Sequence, residues 1–482
     1  MLTGECIMNV IPFYTLLACM TLLIAGCGSN SEEPSTPPPT DSSTIETIYI
    51  ADPFYPAGFE EGLQTNLDFF IDGVGIDPEA KVPYDNILIS NGDIQKAGYT
   101  NITGIGFYLN LLVEMQRAGH PAAAGRIDAV LAQLEQAPKY IGMFYWLYAI
   151  EGDRLQVTGE QIVSAVDNAN LVLSLASVAG AYMASDNAVL SRLGERADQL
   201  IRQQADGWSA LYDHDRGLLR AGWRNGSFER YWIDRKSNES RLAPLMAVLL
   251  TDSMGAEAVP REAFENMELH LEPYNRNGYS YTPLLSWDGS FFQAMLPAIW
   301  LEETALVPDY TMFRDFAAVQ LTYADEHNIP LTSASSTTSD LYAAFGVPEL
   351  SESYLRFGNP VPAGNDLPRE SNCTPTEKDD CQPFAATGTP HASALYYLVN
   401  PEDAVQRLKR LAMDYPSIES PAGWFDALDE NGRVSEKIIA INQGMFIGSF
   451  MSDSIRKDVR AYFEYMGNYH LIDHMYQSFI SQ

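Results

Sequence analysis

Cys27 stands at the end of an almost wholly apolar run, 11–26, in the string Leu23-Ile24-Ala25-Gly26-Cys27. Small residues before a cysteine at that distance are the chemistry of a cleaved export signal whose thiol is then lipidated, and the run is too short for a comfortable membrane span. The expected signal is 1–26, and cleavage leaves Cys27 as the lipidated first residue. Cys6 and Cys19 leave with the signal and Cys27 is lipidated, so Cys373 and Cys381 are the only pair left. An exported compartment permits their disulfide, a staple across a loop rich in Pro, Thr, Asp and Lys. Trp146, Trp208, Trp223, Trp232, Trp287 and Trp424 lie at or near expected helix ends, where their apolar faces could cover sugar rings while polar neighbours hold the hydroxyls. His470 and His474 have the spacing of helical metal ligands but no acidic partner in a zincin pattern, and Asp213-His214-Asp215 lacks the oxygen ladder of a calcium loop. Neither is read as a metal site. No Gly-rich phosphate loop and no nucleophile-elbow serine appears.

These residues need a scaffold, and the periodicity supplies one. Apolar positions recur at a helical period over 105–118, 124–136, 161–183, 188–204, 239–251, 291–301, 311–327, 392–398, 401–413, 437–451 and 455–466. With weaker segments this makes roughly a dozen helices, enough for six hairpins. Paired helices set around a ring place their connecting loops on one face, and functional residues favour loops on a rigid scaffold. The Ser- and Pro-rich stretch 27–47 has almost nothing to bury and is expected to be a solvated tether, with structure beginning near Ile48. The body, 48–482, is expected to be one large all-α domain, because a core of that size holds together as a barrel or solenoid. The 63 acidic residues against 30 basic ones give a formal charge of -33, which excludes a nucleic-acid partner for want of anything to offset phosphate repulsion. Contact with a membrane is expected through the lipid alone. The expected location is the bacterial cell envelope, the outer membrane foremost, on its periplasmic or outer face.

Along most of the body the chain resembles the glucoamylase-like domains of endo-β-1,2-glucanases and of the transglycosylating part of cyclic β-1,2-glucan synthases. The resemblance is carried by Thr100-Asn101-Ile102, Gly142-Met143-Phe144-Tyr145-Trp146, Val163-Ser164-Ala165-Val166-Asp167-Asn168, Tyr212-Asp213-His214-Asp215, Tyr231-Trp232-Ile233-Asp234 and Ser237-Asn238-Glu239-Ser240-Arg241. It continues through Ser286-Trp287-Asp288-Gly289-Ser290, Phe345-Gly346-Val347-Pro348, Thr389-Pro390-His391-Ala392, Gly423-Trp424-Phe425-Asp426 and Asn442-Gln443-Gly444-Met445. Their order along the chain makes the match. It implies an (α/α)6 barrel, a polysaccharide or oligosaccharide ligand, no cofactor, and hydrolysis of a β-glucan, β-1,2-linked in first place.

Glycosidases use two carboxyl groups, one protonating the leaving oxygen and one acting as nucleophile or activating water. The family's Ser-Glu-Ser glutamate falls at Ala334 in Ser333-Ala334-Ser335, the glutamate of its Ser-Met-Phe-Glu-like block is Gln293, and a further glutamate corresponds to Asp426. These departures weigh against a retaining mechanism. What remains is Asp167, Asp234, Glu239, Asp288 and Asp426, at positions a helical barrel would turn into its cleft. The resemblance therefore implies Asp426 as general acid or base, Asp288 or Asp167 as its counterpart, and Trp146, Asp234, Glu239, Trp287, Trp424 and Gln443 as substrate-binding residues. Structural roles compete for some of them: Asp167 and Asp288 as helix caps, Glu239 as the ion-pair partner of Arg241 or Arg235. The loss of Ala334 and Gln293 as acids leaves a second reading, a carbohydrate-binding envelope lipoprotein without catalysis.

Overall fold

The computed structural model describes residues 44–276, 278–362 and 385–480. Cys27, Cys373 and Cys381 lie outside them, as do the signal and most of the tether. Packing starts slightly before Ile48: Ile45 is fully buried and its N–H donates to Asp72 at 3.0 Å.

Six helices make an inner ring among the described residues: Ile102–Arg117 (α1), Ala165–Tyr182 (α2), Leu242–Met254 (α3), Phe291–Met295 (α4), Pro390–Leu395 (α5) and Ala440–Tyr465 (α6). Helix α1 packs on α2, α2 on α3, α4 on α5, α5 on α6, and α6 returns to α1, while the turn Glu239–Arg241 bridges α3 and α4. Outside them stand Ala123–Gln136, Ala188–Arg202, Thr311–His327 and Pro401–Asp414, packed on α1, α2, α4 and α5 in that order. The contrast in sequence explains the layers. Almost every side chain of α1 and α2 is buried, whereas Ala188–Arg202 and Pro401–Asp414 bury one stripe and leave a polar face in water. Where α2 crosses α6, Gly180 allows the contact, since a Cβ there would lie 1.9 Å from the Asp458 carbonyl oxygen.

Short strands precede most inner helices. Tyr99–Asn101 leads into α1, Ile162–Ser164 into α2, Thr387–Gly388 into α5 and Lys437–Ile439 into α6. At three of these junctions a side-chain oxygen caps the new helix: Asn101 accepts the Gly104 N–H at 2.6 Å, Ser164 the Asp167 N–H at 3.2 Å and Thr389 the Ala392 N–H at 3.4 Å. Two helical expectations are corrected here. Residues 162–164 and 437–439 are extended, because their β-branched residues pair with Gly222–Arg224 and with Asn86–Leu88. The expected helices 437–451 and 455–466 are one continuous helix, α6. No described helix is long and apolar enough to cross a membrane.

One close approach fixes the loop before α4. A Cβ on Gly346 would lie 1.9 Å from the Asp288 carbonyl oxygen, and Gly289 holds φ at +71° against Val347. Gly346→Ala is expected to cost about 2 kcal/mol or more, as overpacking against backbone does. The measurement is the urea midpoint; a parent-like value would show that the loop backbone yields.

Candidate active site

The strand-to-helix junctions bring carboxylates to one end of the inner ring. Asp85 precedes the strand Asn86–Ser90, Asp167 sits in the first turn of α2, Glu239 opens the turn before α3, Asp288 lies just ahead of α4, and Asp426 lies between Trp424 and Leu428. They form one electrostatic group: the charges of Asp288 and Asp167 act on Glu239, that of Asp85 on Asp167 and Asp426, and all but Asp426 act on the Tyr342 phenol.

Two of the five have an oxygen left over. Glu239 Oε2 and Asp426 Oδ2 are buried without a hydrogen-bond partner among the described residues. The arginines beside Glu239 in sequence make their ion pairs with other acids. Arg241 makes a fully buried pair with Glu303 at 2.6 Å, and Arg235 pairs with Glu352 at 2.8 Å, Asp234 at 2.9 Å and Glu268 at 3.3 Å. Desolvation pushes Glu239 up to about 7, with Asp288 and Asp167 adding to the rise while its own backbone N–H and the Arg241 charge oppose it. Desolvation also pushes Asp426 up to about 7, but the Ile439 N–H, donated to Oδ1 at 3.0 Å, and the neighbouring Asn442 and Lys437 favour its ionised form.

The other carboxyls are better satisfied. Asp167 accepts the Thr103 hydroxyl at 2.8 Å; the cap of α2 is Ser164, not Asp167. Asp288 is raised to about 6 by burial, and it exchanges two bonds with Gln293: the Asp288 N–H donates to Oε1 at 2.9 Å and the Gln293 amide donates to Oδ2 at 3.2 Å. An ionised glutamate at 293 could not donate that bond. Ala334, on a strand paired with Tyr342–Ala344, is buried and carries no acid; beside it Ser335 donates to the Asp426 carbonyl at 3.1 Å.

Several expected binding residues stand apart from this group. Trp424 is fully buried against Phe59 and Phe446 and cannot cover a sugar; its size and apolarity are used in the core. Gln443 is buried too, its amide donating to the Trp424 carbonyl at 2.9 Å. Trp208 and Trp223 are likewise core, and Trp232 is held by Asp213 and overlaid by Arg216. Trp146 is half-buried at the junction of α1 and α2, its N–H donating to Ile162 and its carbonyl accepting from Ile102. Trp287 is open to solvent at the rim, and Asp234 is half-buried on Arg235. Two site residues were missed in the sequence. Asp85, held by Asn86 and by Asn101 at 2.7 Å, has no motif of its own, although its partner Asn101 lies in a matching block. Tyr342 has no signal beyond lying seven residues after Ser335. No group of side chains among the described residues could hold a metal ion.

Raised carboxyls make stability depend on pH. Glu239 and Asp426 stand at about 7 in the fold against 4.5 and 3.8 ordinarily, so the folded state holds more protons over that window. Their contribution is complete below the unfolded values and is lost as pH rises through about 7. The Glu239→Gln/Asp426→Asn double variant is therefore expected to lose less stability than the parent between pH 5 and pH 8, by on the order of 1 kcal/mol or more. Urea titrations at both pH values measure it, and parallel losses would contradict the raised values.

No protein-family model matches the chain, and no curated protein does. Solved structures do match. An endo-β-1,2-glucanase from Chitinophaga pinensis, in complex with sophorotriose and glucose, is 16% identical over 85% of this chain and 97% of its own, with a TM-score of 0.64. The endo-β-1,2-glucanase of Talaromyces funiculosus with sophorose is 13% identical over 86% and 88%, at 0.69. A β-1,2-glucanase from Parabacteroides distasonis is 13% identical over 88% and 60%, at 0.63. The short strands leading into helices, the ring of inner helices and the carboxylates at one end of it thus belong to a chain with the glucoamylase-like (α/α)6-barrel fold.

Proposed function

We propose that this protein is an exported, lipid-anchored glycoside hydrolase that cleaves a β-glucan, β-1,2-linked, with inversion. The observation that carries this reading is the pair of buried, unpartnered carboxyl oxygens on Glu239 and Asp426, in a barrel whose fold is shared with β-1,2-glucanases. Glu239 is the general acid, because burial, with the charges of Asp288 and Asp167 beside it, favours its protonated form over the opposing pull of its backbone N–H and Arg241. Asp426 is the general base, because the Ile439 N–H, Asn442 and Lys437 favour its charge. This keeps the role the sequence suggested for Asp426 and selects Glu239 over Asp288 and Asp167 as its counterpart.

In the reaction the Glu239 proton passes to the glycosidic oxygen as the bond to the anomeric carbon breaks. Asp426 takes a proton from water, whose oxygen adds to the opposite face of that carbon. Glu239 ends ionised and Asp426 protonated, and exchange with solvent resets both. The hydroxyl-only strand around Ala334 supports inversion, since it offers no second carboxyl at the position where the family's Ser-Glu-Ser block carries one.

The test is incubation of the chain from Ile45 onward with linear β-1,2-glucan and a panel of other glucans, with Asp426→Asn as control and the anomer followed by NMR. Shorter products of inverted configuration, absent from the control, are the expected result. Saturable binding without products would instead establish the receptor reading that Ala334 and Gln293 favour.

A further inference from the structure

At the far end of the barrel a buried arginine lacks the carboxylate that the others hold. Helix α6 starts at Ala440, next to the Ile439 N–H that Asp426 accepts, and Arg456 stands 16 residues further along it. At a rise of 1.5 Å per residue that is about 24 Å from the carboxylates. There Arg456 Nε donates to the Ala298 carbonyl at 2.7 Å, in the turn Leu296–Ile299 that continues α4, and Nη2 donates to the same oxygen. Among the described residues its Nη1 meets only Asp453, 3.5 Å away on a side chain 93% exposed and so screened by water, although Arg456 itself is 16% exposed.

Arginines buried to a similar degree or further are matched more closely. Arg126, Arg241, Arg235, Arg196 and Arg407 each have a carboxylate oxygen within 2.8 Å. Burial pulls the Arg456 guanidinium below its ordinary value despite the charge of Asp453. At Arg126, Arg241 and Arg407 burial acts in the same direction, and the paired carboxylates reverse it.

The undermatched guanidinium lines a cavity of about 410 Å³, within the range of small-molecule sites. Lys457 and Arg460 line it too, three cations within five residues of a chain in which 63 acidic residues face 30 basic ones. Lys457 is exposed and makes no ion pair among the described residues. Arg460 lies over the Tyr469 ring, 4.8 Å from its centroid, and commits Nε to Glu464 at 2.7 Å. Glu302 and Asp453 complete the charged lining, so the cations are in surplus.

We propose that this cavity binds a phosphate ester, whose oxygens accept from Arg456, Lys457 and Arg460 and whose substituent gives hydroxyl or ammonium hydrogens to Glu302 and Asp453. A guanidinium fork matches two phosphate oxygens, and a lysine adds a point charge for a third. A free carboxylate would meet Glu302 and Asp453 with nothing to offer them. A phospholipid headgroup and a soluble phosphate ester carry the same chemistry.

The test uses the compact unit Ser42–Gln482, which excludes Cys27. Calorimetry with glycerol 3-phosphate at fixed ionic strength is expected to show saturable binding of one molecule per chain. Lys457→Gln/Arg460→Gln should weaken it about ten-fold or more, and Arg456→Lys, which keeps the charge but removes the fork, by as much. Lys457 and Arg460 are exposed, so the double variant reads the site even if Arg456→Lys fails to fold. Flotation with phosphatidylglycerol vesicles separates the sources. Co-flotation that is lost in the double variant assigns the site to a headgroup, and ester binding without flotation assigns it to a soluble ester. Binding of neither probe, or binding unchanged in the double variant, overturns the site.

Discussion

Asp426→Asn is expected to lower kcat on β-1,2-glucan by about 10³-fold, within the range general acid–base catalysis supplies, with polymer binding retained. Asn keeps the shape and the bond from Ile439, so the loss reports the missing charge. Glu239→Gln is expected to lose as much, because it removes the only proton that the proposed mechanism delivers to the leaving oxygen. Asp288→Asn decides between the candidates: its carboxyl is already satisfied by Gln293, and a loss of about ten-fold or less is expected, one positioning contact rather than a proton transfer. A loss in Asp288→Asn matching that in Asp426→Asn would move the acid role to Asp288. The pH profile gives a second readout. Base and acid both stand at about 7, so the parent rate should peak near neutrality, with an acid limb from Asp426 and an alkaline limb from Glu239.

The largest stability effect is expected at Arg241. Its guanidinium and Glu303 have no exposure, and the pair is bidentate, at 2.9 and 2.6 Å. Arg241 also donates to the Ala294 carbonyl of α4 and to the Asn238 carbonyl beside Glu239, while Glu303 accepts the Tyr476 hydroxyl at 2.7 Å. Arg241→Ala strands a buried carboxylate and should cost about 3–5 kcal/mol. Arg241→Met/Glu303→Leu removes both charges at similar volume and should recover much of that loss, because the desolvation penalty disappears with the pair. Equal destabilisation in single and double variants would show that the backbone bonds, not the ion pair, hold the turn. Recovery of stability without activity would separate bracing of the fold from the placing of Glu239.

Thr311–His327 coincides with its expected span, and α1 and Ala123–Gln136 differ from theirs only at the ends, because each carries an uninterrupted helical period. The strands before α2 and α6 were hidden inside such periods. Ile162-Val163 and Ile438-Ile439 serve a strand or a helix equally well, and only their partners at 222–224 and 86–88 decide between them. Trp424 and Trp287 look alike beside expected helix ends, yet one is in the core and the other in water.

The sequence by itself determined the helical architecture and the chain positions from which most of the cleft acids come, because periodicity, capping and turn chemistry act over a few residues. Tertiary structure alone decided which acids keep a free oxygen. Arg241 stands two residues from Glu239 but pairs with Glu303, 62 residues away, and Arg235 pairs with Glu352, 117 residues away. A charge is claimed by the partner that burial brings closest, and only the closed barrel establishes which partner that is.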